Sequence, residues 1–282
     1  SADVKKQGDA LEACLSACRN RGVECHAWKV CWNLGWGTPK WFVEKMRYED
    51  RTQVSFSGQA VDWLCPSNPE NLKLEVEVAL ELARRHPDGI HFDYVRYPDG
   101  NGCHCNGCRR RFESRIGTSV PAWPGDLRRN PELAQAWERF RADNISAVVR
   151  EASRRIRREC PGVQLSAAVF SDCSPYPVQV AQNWPAWCRE RILDFVCPMD
   201  YLPTRAFKEV VSLQRKSGGA TPLRPGIGVP SVSSCSTEDA ALVIAEQMSC
   251  VRSQGLDGFS VFSLETRTLE ALRLLSVGPM SR

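Results

Sequence analysis

The chain has 282 residues, 43% hydrophobic and 25% charged, with a formal net charge of +4. That length can bury a sizeable core as one large α/β domain or two small ones, and no run of about 18 uncharged apolar residues offers a membrane span. The surplus charge is small and its basic runs, such as "RRIRRE" (154–159), are spaced like the wet face of a helix, so no nucleic-acid partner is expected.

In chain order, "GDALEACLSACRNRG" (8–22) has helical spacing and ends at a glycine, a stop signal. "VECHAWKVCWNLG" (23–35) reads as a strand running into a loop, and a long connection follows. Over 65–86 the sequence predicts a helix with Ser67 or Asn68 as cap and Pro69 in its first turn. "DGIHFDYVRYP" (88–98) is the next strand and 131–160 a long amphipathic helix. Further strands are expected over 162–171, 194–202, 223–230 and 257–265, with helices around 180–193, 204–217 and 237–254. The alternation implies parallel βαβ units, which a doubly wound sheet would also satisfy. Polar residues at strand ends tip the expectation to a (β/α)8 barrel: His26 and Trp28, Asp93, Asp172, Asp200 and Glu265 would converge on one mouth. Six strands can be counted, so the expected fold is a TIM-type α/β barrel in which the first two βα units are lacking, forming one domain over 1–282. The "CHAW" strand would then have an exposed edge, open to self-association.

Alternation along the 88–98 strand puts His91 and Asp93 on one face, with Tyr94, Arg96 and Tyr97 close by. Glycoside hydrolysis needs two carboxyl groups flanking the scissile bond, together with aromatic platforms and donors for sugar hydroxyls. The plainer alternative is a salt bridge between Asp93 and Arg96. His26 and Trp28 alternate on one face, which suits either a sugar-stacking pair or core packing, whereas Trp184 and Trp187 have the spacing of core residues. No phosphate loop, G-x-S-x-G or H-E-x-x-H occurs.

There are fourteen cysteines, most of them scattered through apolar runs as expected of buried thiols, and the redox compartment stays open. Cys103, Cys105 and Cys108 differ: C-x-C-x2-C between Gly102 and Gly107 approaches zinc-ligand spacing. Cys65 or His104 could supply a fourth ligand, and a disulfide with spare thiols is the competing reading.

"DGIHFDYVRYP" resembles the fourth-strand signature of the glycosyl hydrolase-like 10 family. "RGVECHAWKV", "LCPSNPE" and "WPAWCRERILDFVCPMDY" resemble that family's third strand, third helix start, and fifth helix with sixth strand, in the same order. The resemblance implies a TIM barrel that hydrolyses a glycan, bacterial wall glycans among them, and a location outside the cytoplasm. It points to Asp93 as the catalytic carboxylate, as nucleophile or base. The proton donor would be Asp200, then Glu265, then Asp172. His26, Trp28, His91, Tyr94, Arg96, Tyr97, Asp172 and Tyr201 would be the substrate contacts. Chitinase-type family 18 enzymes carry their acid two residues beyond the strand-four aspartate, where this chain has Val95; "PMDY" (198–201) is similar to their sixth strand. "CHCNGCRRRF" resembles the zinc loop of family 42 β-galactosidases, in which a distant upstream cysteine completes the site. That likeness implies Cys65, and hence a closed, structural zinc. The alternative to an enzyme is a non-catalytic, carbohydrate-binding barrel.

Overall fold

The computed structural model describes residues 8–35, 37–174, 179–228, 236–256 and 258–276. They fall into two compact units, 1–165 with 176–183 and 166–175 with 184–282. The ends of two expected strands, at 229–230 and 257, lie outside the described residues.

The first unit runs α1 (Ala10–Arg19), β1 (His26–Val30), α2 (Lys40–Tyr48), β2 (Thr52–Val54), β3 (Ala60–Leu64), α3 (Pro69–Ala83), β4 (Gly89–Asp93), α4 (Asn106–Ile116), α5 (Asp126–Arg129) and α6 (Pro131–Glu159). Strand β1 lies parallel to β4, with Trp28 opposite His91 and Val30 opposite Asp93. The start of β5 (Gln164–Val169) follows beside β4, where the Gln164 amide donates to the Asp88 carbonyl at 2.9 Å. Gly89 has a steric reason: a Cβ there would stand 2.9 Å from the Gln164 carbonyl oxygen and would overlap the His26 imidazole. Asn68 caps α3 by accepting from the Glu70 amide at 2.9 Å, while Pro69 occupies the first turn and loses no bond. The α6 helix turns one face inward at helical intervals, burying Phe140, Ile145, Val148, Val149, Ala152 and Ile156. Removing such a buried branched side chain costs about 2–5 kcal/mol.

Behind β1, Lys29 is buried against the carboxylate of Glu75 on α3, and the other Glu75 oxygen accepts from the Trp32 amide at 2.8 Å. A buried pair of this kind mainly fixes geometry, because its Coulombic gain is offset by desolvation. It anchors the point at which β1 ends and Trp32 takes a positive φ of 63°.

In the second unit, β5 pairs parallel with β6 (Phe195–Pro198), Ser166 opposite Phe195. A parallel bridge joins Val196 to Leu223 just before β7 (Gly226–Gly228), and β7 pairs parallel with β8 (Ser260–Phe262). Helices α7 (Trp184–Glu190), α8 (Thr204–Ser217), α9 (Thr237–Ser253) and α10 (Thr266–Leu275) alternate with these strands. Phe207, Val211, Ile227, Ile244 and Met248 make the core of this unit, and Trp184 and Trp187 are fully buried, as their spacing predicts.

The six parallel strands expected from the sequence are all present. Among the described residues β1 and β8 each pair with a single parallel strand, so the series does not close into a ring. The long connection after β1 holds more than was expected. It contains α2 and the antiparallel β2–β3 hairpin, whose turn is closed by Ser55 and Gln59. The hairpin prolongs β1, for Asn33 bridges antiparallel to Trp63.

Candidate active site and thiolate cluster

Asp93 ends β4 with both carboxylate oxygens engaged. Oδ2 accepts from the Trp28 indole N–H at 3.1 Å and Oδ1 from the Tyr94 amide at 2.6 Å. The second bond exists because Tyr94 takes φ 57°, which turns its N–H back onto the preceding side chain. A positive φ is rare for a bulky residue and costs on the order of 1–3 kcal/mol, a kind of strain that clusters at functional sites. Hydrogen bonds to a charged acceptor return about 1.5–3 kcal/mol each. Trp28, held by its indole N–H, is 51% exposed, so it is not core packing. His91 shares this face, and burial pushes its imidazole below the ordinary range despite the opposing pull of Asp93. His26 sits one pleat further back, 3.4 Å from Glu24.

Arg96 does more than face Asp93. Its guanidinium donates to the Tyr97 carbonyl at 3.0 Å and lies 4.9 Å over the Tyr94 ring and 5.4 Å over the Trp63 ring. Asp93 still acts on it electrostatically, partly offsetting the burial that lowers its pKa. Tyr97 is fully buried with the Arg141 guanidinium 4.4 Å over its ring. Its side chain is therefore sealed from solvent in this structure. Val95 is fully buried as well and supplies no acid.

The sulfurs of Cys65, Cys103, Cys105 and Cys108 lie within 4.8 Å of one another, with Cys65 3.4 Å from Cys108 and 3.9 Å from Cys105. A tetrahedral ion with metal–sulfur bonds of about 2.3 Å needs sulfurs roughly 3.8 Å apart, so the four thiols fit a metal ion. The described cysteines are all free thiols, which excludes a disulfide here. Cys105 caps α4 and accepts from the Cys108 amide at 3.3 Å; neighbouring thiols push its pKa down, while burial pushes those of Cys103 and Cys108 up. Ser67 touches Cys108 at 3.0 Å and receives Arg111, which is why Asn68, and not Ser67, caps α3. His104 is no ligand. It is packed against Trp137, Trp123 and Phe56, and burial lowers its pKa to about 4.

In the second unit, Asp200 follows β6 and is wholly buried. Oδ1 accepts from the Gln214 side chain at 2.7 Å, and Oδ2 has no partner among the described residues. Burial raises its pKa from 3.8 to about 6 against the opposing bonds of Ser171 and Gln214. Tyr201 stacks on Phe262 with ring centroids 5.6 Å apart. It crosses β7 where Gly228 leaves room, since a Cβ there would overlap the ring. Asp172 is exposed and accepts from the Ser174 amide at 2.8 Å, a turn-capping role. Glu265 is exposed at the start of α10, with no cap bond.

Trp28, His91, Asp93, Tyr94 and Arg96 thus form one constellation in the first unit, and Asp200 and Tyr201 lie within one stretch of the second. Trp63, Gln214 and Arg141 escaped the sequence reading. Trp63 alone had a signal, as an aromatic in "VDWL" just after the turn-like "SFSG".

The family model described as Glycosyl hydrolase-like 10 matches residues 2–223. Among solved structures, a β-galactosidase from Bacillus circulans sp. alkalophilus matches with a TM-score of 0.62 at 16% identity, over 93% of this chain and 45% of that one. A β-galactosidase from the psychrophilic Marinomonas ef1 matches with a TM-score of 0.65 at 12% identity, over 95% and 52%. A catalytic mutant of Gan42B, a GH42 β-galactosidase from G. stearothermophilus, gives 0.61 at 13%, over 90% and 43%. The chain therefore spans about half the length of these proteins, and the likeness shows the α/β barrel-type fold alone. Comparison with curated proteins returned no match.

Proposed function

The chain belongs to the glycosyl hydrolase-like 10 family, and from that premise we propose that it hydrolyses an O-glycosyl bond in an oligo- or polysaccharide. The observation that carries the reading is Asp93, a carboxylate at the end of a parallel strand, oriented by the indole of a half-exposed tryptophan. Barrel glycosidases build their sites at such strand ends. Asp93 is the proposed nucleophile or base, a carboxylate held by a donor on each oxygen and close to Arg96. Asp200 is the proposed proton donor, for burial holds its proton up to about pH 6. Glu265 competes for that role on the ground of exposure. Trp28, His91, Tyr94 and Arg96, with His26, bind the sugar in this reading, and Tyr201 and Asp172 are the second unit's proposed substrate contacts.

We assign the thiolate cluster to zinc. Four sulfur ligands leave no open position, so Cys65, Cys103, Cys105 and Cys108 would hold it as a structural ion that takes no part in the reaction.

A second reading, a barrel that binds glycans without cleaving them, is favoured by the complete burial of Asp200. One experiment separates the two. Wild type, Asp93→Asn, Asp200→Asn and Glu265→Gln are assayed on β-galactosides, wall glycan and plant polysaccharides, with binding measured in parallel. Cleavage by wild type that Asp93→Asn abolishes supports the enzyme. Binding with no cleavage by wild type establishes the binding module, and retained activity in Asp93→Asn refutes the assignment.

A further inference from the structure

We infer that Trp63 forms a second sugar subsite beyond Asp93, which makes the preferred substrate an oligosaccharide chain and not a monosaccharide glycoside; this rests on the glycan reading above. Three observations converge on it.

The first is position. Trp63 belongs to β3, and its bridge to Asn33 places it along the continuation of β1, further out than Trp28. Leu34 and Leu64 secure that pairing through backbone bonds to Asp62 and Trp32, at 3.0 and 2.7 Å. Asp93, level with Val30, therefore falls between the two tryptophans along the strand direction.

The second is how the ring is mounted. Trp63 remains part-exposed. The Tyr94 ring lies 5.8 Å away at 43°, and the Arg96 guanidinium lies over both rings. A ring backed by a cation and a second aromatic loses little freedom when a sugar face docks on it.

The third is rigidity. Cys65 directly follows β3, and the Cys103 sulfur accepts from the Val54 amide on β2 at 3.4 Å. The His104 amide also donates to the Val54 carbonyl at 2.8 Å. The thiolate cluster thus clamps the hairpin carrying Trp63 to the segment that follows Tyr94 and Arg96. This gives the clasp a reason to sit where it does, as the support of a subsite.

The test is a length series of galacto-oligosaccharides and chito-oligosaccharides, from mono- to pentasaccharide, titrated against wild type, Trp63→Ala, Trp63→Leu and Trp28→Ala by calorimetry, with hydrolysis followed on the same series. Wild-type affinity is expected to rise with chain length. Trp63→Ala is expected to erase that rise, weakening the longer chains about tenfold while leaving the shortest bound sugar unchanged. Trp28→Ala should weaken every length alike. Trp63→Leu keeps an apolar side chain without a flat face, so it should resemble Trp63→Ala if stacking is the cause, and it serves if the alanine variant fails to fold. The inference is overturned, with the glycan reading intact, if wild type binds or cleaves the series and either folded variant keeps the wild-type length dependence. If wild type binds none of the sugars, the glycan reading and the subsite fall together.

Discussion

Cys65→Ser tests the clasp with a magnitude that follows from the chain path. Cys65 and Cys108 are 43 positions apart, whereas the other three thiols fall within six residues. An ion bound by all four closes that long loop. On the chain-entropy account, tying a loop of this length removes about 4 kcal/mol of freedom from the unfolded chain. Serine at position 65 leaves Cys103, Cys105 and Cys108 in place, so a metal can still bind without tying β3 to α4. At roughly 2–4 °C per kcal/mol for a chain this large, the metal-replete variant should melt about 8–16 °C below wild type. Chelation should lower wild type by a similar amount and the variant by much less, because only wild type has the long closure to lose. Scanning calorimetry of both proteins with and without chelator, alongside elemental analysis, reads all four states. If chelation shifts the two proteins equally, or neither, the loop-closure reasoning is wrong.

Three further outcomes are expected. Asp93→Asn should lower glycan hydrolysis by several orders of magnitude and leave sugar binding within a few-fold, measured by kcat against Kd. Asp200 should make stability fall as pH rises from 3.8 to about 6, since the folded state binds more protons across that window; the contribution is fully present below 3.8, lost above about 6, and amounts to about 3 kcal/mol. Asp200→Asn should flatten that slope in urea melts and stabilise the protein near neutral pH, and a steep slope surviving in the variant would refute the assignment. Glu75→Ala should cost about 3–5 kcal/mol by stranding the buried Lys29, and Lys29→Met in the same background should recover much of it; an unchanged melting midpoint in the single variant would count against a buried charge pair.

The parallel strands were legible because they are short apolar runs, several of them flanked by glycine or proline and ended by a polar residue, as β4 is by Asp93. The β2–β3 hairpin was not, because "TQV" and "AVDWL" are too short and mixed for a period of two to stand out. Asp93 could be singled out from its strand, but its actual donors could not. The Trp28 bond depends on the register that sets Val30 beside Asp93, and the Tyr94 bond on a positive φ. Composition specifies neither. Cys65 was reached through resemblance; spacing alone left His104 open until the aromatic packing around that imidazole became visible. Tyr97 read as a site residue because it is next to Arg96, yet it is fully buried, as is Val95.

Asp93 and Asp200 are both aspartates just past the ends of apolar strands, and sequence alone gives them the same standing. Their surroundings differ. Asp93 has a donor on each oxygen and a guanidinium nearby, which hold its carboxyl in one orientation. Asp200 is opposed only by neutral groups, Ser171 and Gln214, and is wholly buried. That environment disfavours the anion and keeps the proton. A carboxyl that keeps its proton is what the acid step of glycoside hydrolysis demands. It is also what a strand-end aspartate becomes when it is merely sealed into a core, at a cost in stability. The two origins predict different results for Asp200→Asn. A sealed structural carboxyl gives a more stable protein with unchanged turnover, whereas a proton donor gives a more stable protein that no longer turns over substrates with poor leaving groups but retains those whose leaving group needs no proton. Assay of the variant on an aryl glycoside with an acidic phenol beside the natural glycan decides between them: equal loss on both substrates would exclude Asp200 as the donor.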